Sequence, residues 1–142
     1  MNTPAAAVAA PFPTFNTPAR VIPELTWSHT LCDGERVDFA EAEQAIAALN
    51  TAGASGFSDW RLPTVEELFA QADRSKFNPA VDPEQFPDTR SGFYWSSTPY
   101  AVNPAGYAWG VYFNLGGTSF DDRDYYGFVR AVRSVVPASP GQ

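Results

Sequence analysis

Three sets of side chains in this sequence could do chemistry. His29 and Cys32 are three residues apart and are the sole histidine and the sole cysteine of the chain. An imidazole beside a thiol is the raw material of a nucleophilic site. That spacing at a strand end does not favour contact, however, and a lone cysteine is ordinarily a small buried hydrophobe. The second set is Asp121, Asp122 and Asp124. Clustered carboxylates serve general acid–base work or supply the oxygen shell of a calcium ion. Acid–base work needs a second arm of acids across a cleft, and acids gathered in a hairpin are otherwise solvated. The third set interleaves with the second: Phe120, Tyr125 and Tyr126, with Tyr100, Asn103, Tyr107, Tyr112 and Asn114 upstream. Tyrosine and phenylalanine offer large contact area for two side-chain torsions, and aspartate adds adaptable polar contacts. That is the chemistry of recognition.

Composition narrows the classes further. Sixteen acids against nine bases give a formal charge of −7, with no basic run. Phosphate neutralisation needs clustered Lys and Arg, so nucleic acid is not an expected partner. A single cysteine excludes an intramolecular disulfide and a Cys-rich metal site. The 142 residues are 44% hydrophobic and 15% aromatic, ample for one domain with a real core. No apolar run approaches the roughly 18 residues of a membrane span. The opening MNTPAAAVAAPFP lacks the basic start of a secretory signal, so a cytoplasmic location, or carriage in a phage particle, is expected. "NLGG" lacks the strand-to-helix context of a phosphate loop.

The elements that must position these side chains follow from pattern. Pro4, Pro11, Pro13 and Pro18 mark residues 1–20 as a flexible Pro/Ala-rich arm, and 137–142 reads as a disordered tail, leaving 21–136 for the domain. A strand is expected around Glu24–Thr30, with Leu25 and Trp27 on one face. Asp38 and Glu41 form a capping-box pattern before Ala42, Ala45, Ile46 and Leu49, and Gly53 is a good helix stop. A second helix opens at Thr64, with Glu67 three residues on, and frays near Arg74. Residues 78–90 read as loop. "FYWSST" is a strand, and in "YAWGVYF" Tyr107, Trp109, Val111 and Phe113 alternate with Ala108, Gly110 and Tyr112. The alternation does not say which face is buried. The turn at 114–117 predicts a hairpin with a strand ending in FVRAVRSVV. The fold class is α+β: two helices packed on a twisted antiparallel sheet with long loops.

Four blocks in order carry a family resemblance: GFSDWRLPTVEEL (Gly56–Leu68), YWSST (Tyr94–Thr98), YAWGVYFNLGG (Tyr107–Gly117) and FVRAVR (Phe128–Arg133). Together they resemble the C-terminal domain family of collagen-like bacterial adhesins, which implies a C-type-lectin-like fold. "LTW" at Leu25–Trp27 is similar to that family's opening strand, so the resemblance spans about residues 22–135. Formylglycine-generating enzymes share the fold class but need a cysteine pair absent here, so their activity is not implied. The calcium triplets of sugar-binding C-type lectins are not evident either; "VNP" at 102–104 is a faint echo.

The last blocks also resemble the variable proteins of diversity-generating retroelements, whose hypervariable segment ends in a strand of the "VRAVR" kind. The resemblance implies randomisation of template adenines, chiefly in AAY codons, from which Glu, Gln, Lys, Met and Trp cannot be reached. Phe120, Asp121, Asp122, Asp124, Tyr125, Tyr126 and Gly127 are all reachable, and Ser91 through Gly141 contains no Glu, Gln, Lys or Met. Low Glu and Lys content is also what β propensity produces in a hairpin. The expectation is a non-catalytic domain that binds a protein or glycan target through Tyr100, Asn103, Tyr107, Tyr112, Asn114, Phe120, Asp121, Asp122, Asp124, Tyr125 and Tyr126. Diversification would extend up to Gly127, with Arg123 a fixed spacer. Trp60, Arg61, Trp95, Trp109, Arg130, Arg133 and the strand from Phe128 would be scaffold. No catalytic residue, cofactor or membrane insertion is expected. The alternative is a carbohydrate-binding adhesin domain with a fixed, calcium-assisted site.

Overall fold

Two capping boxes start the two helices. The Asp38 carboxylate accepts the Glu41 amide at 2.8 Å and Glu41 accepts the Asp38 amide at 3.1 Å, opening α1 at Phe39–Thr51. Gly53, at φ 63°, ends it in the left-handed region that glycine adopts without strain. Thr64 and Glu67 repeat the device for α2, Val65–Phe69, which stops well short of Arg74. The structure, a computed structural model, describes residues 24–135, so the expected arm over 1–20 and tail over 137–142 lie outside the described residues.

Five strands complete the described architecture: β1 Glu24–Thr30, β2 Phe93–Pro99, β3 Tyr107–Tyr112, β4 Gly117–Asp122 and β5 Arg130–Val135. Strands β2, β3 and β4 form an antiparallel meander, and β1 pairs with β5 in a second sheet. This α+β arrangement is a C-type-lectin-like fold. It corrects the expected hairpin. The turn after β3 returns the chain into β4, and the FVRAVRSVV run leaves the hairpin to pair with β1. β4, Gly117–Asp122, alternates in exposure along its length. Its period is hard to see because β4 is an edge strand with no buried apolar face; Phe120, its one large apolar residue, is 39% exposed.

Alternation along β2 divides the core. Phe93 and Trp95 pack with Phe39, Ala42, Ile46, Trp60 and Leu62, whereas Tyr94 joins Leu68, Val81, Val111 and Phe113. The Trp60–Pro63 corner is fixed by backbone bonds. Both ends of the Asn50 amide hold the Trp60 main chain at 2.8 and 2.9 Å, and Arg61 exchanges two backbone hydrogen bonds with Val132 at 2.9 Å. Arg61, expected to be scaffold, lies beside Trp60 in sequence. Its guanidinium makes a two-pronged pair with Glu67 at 2.7 and 2.9 Å, which holds the Glu67 carboxyl below its ordinary pKa. The capping glutamate of α2 is thus also the partner of the corner arginine.

Arg130 ties the second sheet to the rest. Its side chain, 1% exposed, donates to Asp88 at 2.7 Å, Thr89 at 3.1 Å, and Gln71 and Thr30 at 3.2 Å. Burial works to raise the Asp88 pKa, but the Thr30 amide, Arg130 and His29 outweigh it, so the carboxyl sits below its ordinary value.

Gly127, expected to close the diversified stretch, is tied into this scaffold through its backbone. It exchanges backbone hydrogen bonds with Val37 at 2.8 Å in both directions. A Cβ there would lie 2.9 Å from the Phe93 ring, 3.1 Å from the Trp95 indole nitrogen and 3.2 Å from the Phe93 carbonyl. The scaffold therefore begins one residue earlier than the sequence predicts.

Two predictions follow from this packing. Arg130→Met lowers unfolding free energy by roughly 3 kcal/mol, near the lower end for breaking a buried pair because Asp88 can still reach water. Chemical denaturation measures this, and a loss no larger than that of Arg133→Met would contradict the network's role. Gly127→Ala destabilises by about 1–3 kcal/mol, the scale of overpacking, whereas Tyr126→Ala leaves the melting temperature unchanged.

Candidate ligand-binding surface

The β3–β4 hairpin is a two-sided platform. Its register places Tyr107 opposite Asp122, Trp109 opposite Phe120 and Val111 opposite Thr118 on one face. Ala108 opposite Asp121, Gly110 opposite Ser119 and Tyr112 opposite Gly117 occupy the other. The expected surface residues are therefore divided between two faces.

On the first face Tyr100 stacks flat on Phe120, ring centroids 3.9 Å apart and planes 9° from parallel. Tyr107 and Trp109 meet Phe120 edge-on at 6.0 and 5.4 Å, closing a four-ring cluster. Tyr100 reaches the hairpin because its amide donates to the Tyr107 carbonyl at 3.1 Å. Next to the cluster, a cleft of ≈ 420 Å³ opens between α2 and the hairpin, lined by Val65, Glu66, Phe69, Thr98, Trp109 and Thr118. Trp109, assigned above to the scaffold, is half-buried and forms one wall. Its place on the Tyr107 face was readable from the alternation. That α2 would leave a gap beside it was not, because helix packing across a sheet has no local signature.

On the second face Tyr112 leans along the strand to donate to Asp121 at 3.2 Å. Phe93 lies against its ring at 4.8 Å and against Tyr125 at 6.0 Å. Gly110 makes this arrangement possible, since a Cβ there would collide with the Phe93 ring and the Tyr94 carbonyl. Burial first, then the adjacent Tyr125 hydroxyl and the Asp121 carboxylate, push the Tyr112 hydroxyl above the ordinary tyrosine range. It stays protonated and available to Asp121 at neutral pH.

Asp124, Tyr125 and Tyr126 form the exposed tip between the faces, the two tyrosines 41% and 57% exposed. Asp122 accepts the Asp124 amide at 2.8 Å and Asp121 accepts the Asp122 amide at 2.9 Å, so these carboxylates serve the turn. Among the described residues, no group of three or more His, Cys, Asp or Glu side chains is arranged to hold a metal ion. Arg123 is a clamp. Its amide donates to Gly106 and its guanidinium to Pro104 at 2.7 Å, its carbonyl accepts from Phe39, and its charge lies 4.1 Å from the centre of the Phe39 ring.

The remaining candidates lie apart. Asn103 is exposed and accepts the Gly106 amide within its own loop at 3.2 Å. Asn114 sits in the hairpin turn, its carbonyl accepting from Asn78, at the opposite end from Tyr107 and Asp122. His29, 85% exposed, lies 3.4 Å from Asp88. Burial, with Glu41 and Asp33 nearby, pushes the Cys32 thiol up and away from the reactive thiolate.

No helix among the described residues is long and apolar enough to cross a membrane. The chain matches no curated protein. Residues 22–133, however, match the family model described as the Lcl C-terminal domain. With its meander, its two capped helices and its WRLP corner inside that span, this chain belongs to the Lcl C-terminal domain family.

Proposed function

We propose that this chain is a non-catalytic ligand-binding domain whose contact surface is the exposed aromatic and acidic set around β4 and its following turn. The observation that carries this reading is the placement of Phe120, Tyr125 and Tyr126. They are 39–57% exposed, yet they stand on or beside a hairpin whose first strand sends Ala108 and Val111 into the core. Large rings left at the surface of a rigid frame are the composition of a binding site, not of a core. Membership in a C-type-lectin-like family supports the same reading. Two titratable groups that could serve catalysis, His29 and Cys32, lack the mutual activation that a nucleophilic site requires.

We further propose that retroelement mutagenesis diversifies the stretch from Phe120 to Tyr126. Support comes from the division of labour within it. Its exposed members Phe120, Asp122, Asp124, Tyr125 and Tyr126 are all reachable from AAY codons, whereas Arg123, the expected fixed spacer, holds backbone and loops in place. A near-copy of the 3′ coding end, differing chiefly at adenines and beside a reverse transcriptase gene, is the expected genomic signature. Its absence from the surrounding DNA would remove this part of the proposal.

The binding reading is tested by stability and selection together. The triple variant Phe120→Ala, Tyr125→Ala, Tyr126→Ala loses less than about 2 kcal/mol of stability, reflecting surface ring contacts. Truncation of a core ring such as Trp95 costs about 3–5 kcal/mol. A display library randomised at Phe120, Asp122, Asp124, Tyr125 and Tyr126, panned against immobilised lysozyme, yields folded binders. A library that is largely unfolded, or a triple variant as unstable as a core truncation, would refute the reading.

A further inference from the structure

We infer that the cleft between α2 and the β3–β4 hairpin is a subsite for an arginine or lysine side chain of a protein ligand. This rests on the ligand-binding reading above and narrows it to a cationic chemistry. The cleft is lined by the apolar Val65, Phe69 and Trp109 together with Thr98, Thr118 and Glu66. At ≈ 420 Å³ the cleft accommodates a long side chain with an apolar stem and a polar head.

The charge at its edge is what specifies the head group. Glu67, one residue on, is committed to Arg61 and to the Thr64 amide. Glu66 is exposed and makes no side-chain hydrogen bond or ion pair among the described residues. Asp122 stands on the same hairpin face, opposite Tyr107. The nearby cations are already placed elsewhere. Arg123 is held by the Pro104 carbonyl and the Phe39 ring, and Arg74 lies over the Phe69 ring at 4.5 Å without lining the cleft. Trp109 remains as the ring best suited to a cation. An anionic ligand would meet Glu66 on a chain of formal charge −7, with like charges repelling it.

Three blocked pentapeptides, Gly-Gly-Xaa-Gly-Gly with arginine, norleucine or glutamate at the centre, distinguish the alternatives by NMR titration of the isotope-labelled chain. The arginine peptide saturably shifts the Trp109 indole resonance and the Thr98 and Thr118 amides. Glu66→Gln, an exposed helix substitution that leaves folding intact, weakens this roughly three- to tenfold, as loss of one partly exposed charge contact does. Equal affinity for the norleucine peptide, or no effect of Glu66→Gln, would overturn cationic selection. Failure of all three peptides to move Trp109 would overturn the subsite itself. Neither failure touches the lysozyme selection at residues 120–126, which tests the broader binding reading independently.

Discussion

A guanidinium withdrawn from water is costly unless its hydrogens find partners, and that constraint shapes the scaffold around Arg130. The residue sits at the head of β5, its partners drawn from β1, the segment after α2 and the loop before β2. All of these partners lie 41 or more residues from Arg130 in sequence. Pairing its two terminal nitrogens therefore brings together stretches of chain that local propensity alone would leave independent. The rings of Phe86 and Tyr94 lie 5.3 and 5.6 Å from the same charge, so apolar packing and ion pairing converge on one point.

On this frame the hairpin carries two unlike faces. One end of its first face is sealed under α2 through Val111 and Phe113, while the other leaves Tyr107, Trp109 and Phe120 partly open to solvent. The second face is mostly filled by Phe93, which Gly110 admits, so Tyr112 is half-buried and Tyr125 is its outermost ring. A single strand alternation thus grades from core to surface along its length instead of dividing cleanly between inside and outside.

Locally encoded features were legible in the sequence. Both capping boxes, the Gly53 stop and the strands at Phe93–Pro99 and Tyr107–Tyr112 follow from residue types within a few positions of one another. Features that depend on distant partners were not. FVRAVR pairs with a strand about a hundred residues earlier, and nothing near it announces that choice. β4 escaped notice because an edge strand without a buried face shows no hydrophobic period. Arg61 was assignable to the scaffold, but its partner, the carboxylate six residues downstream that also caps α2, was not. Of the candidate surface, residue types nominated the members, and only the pairing register divided them between two faces.

Arg123 and Gly127 bear on how the surface can vary. Each is bonded through its backbone amide and carbonyl to a different part of the chain, Arg123 to Gly106 and Phe39, Gly127 to Val37. Three residues, Asp124, Tyr125 and Tyr126, span the gap between these two anchors. Inserting or deleting even one would put an anchor out of register and pull the start of α1 or the floor beneath Phe93 with it. The diversity proposed for this stretch would therefore be confined to the identity of side chains at a constant count. Antibody loops also change length, and so reshape their backbones. A surface anchored in this way keeps its outline whichever side chains it carries.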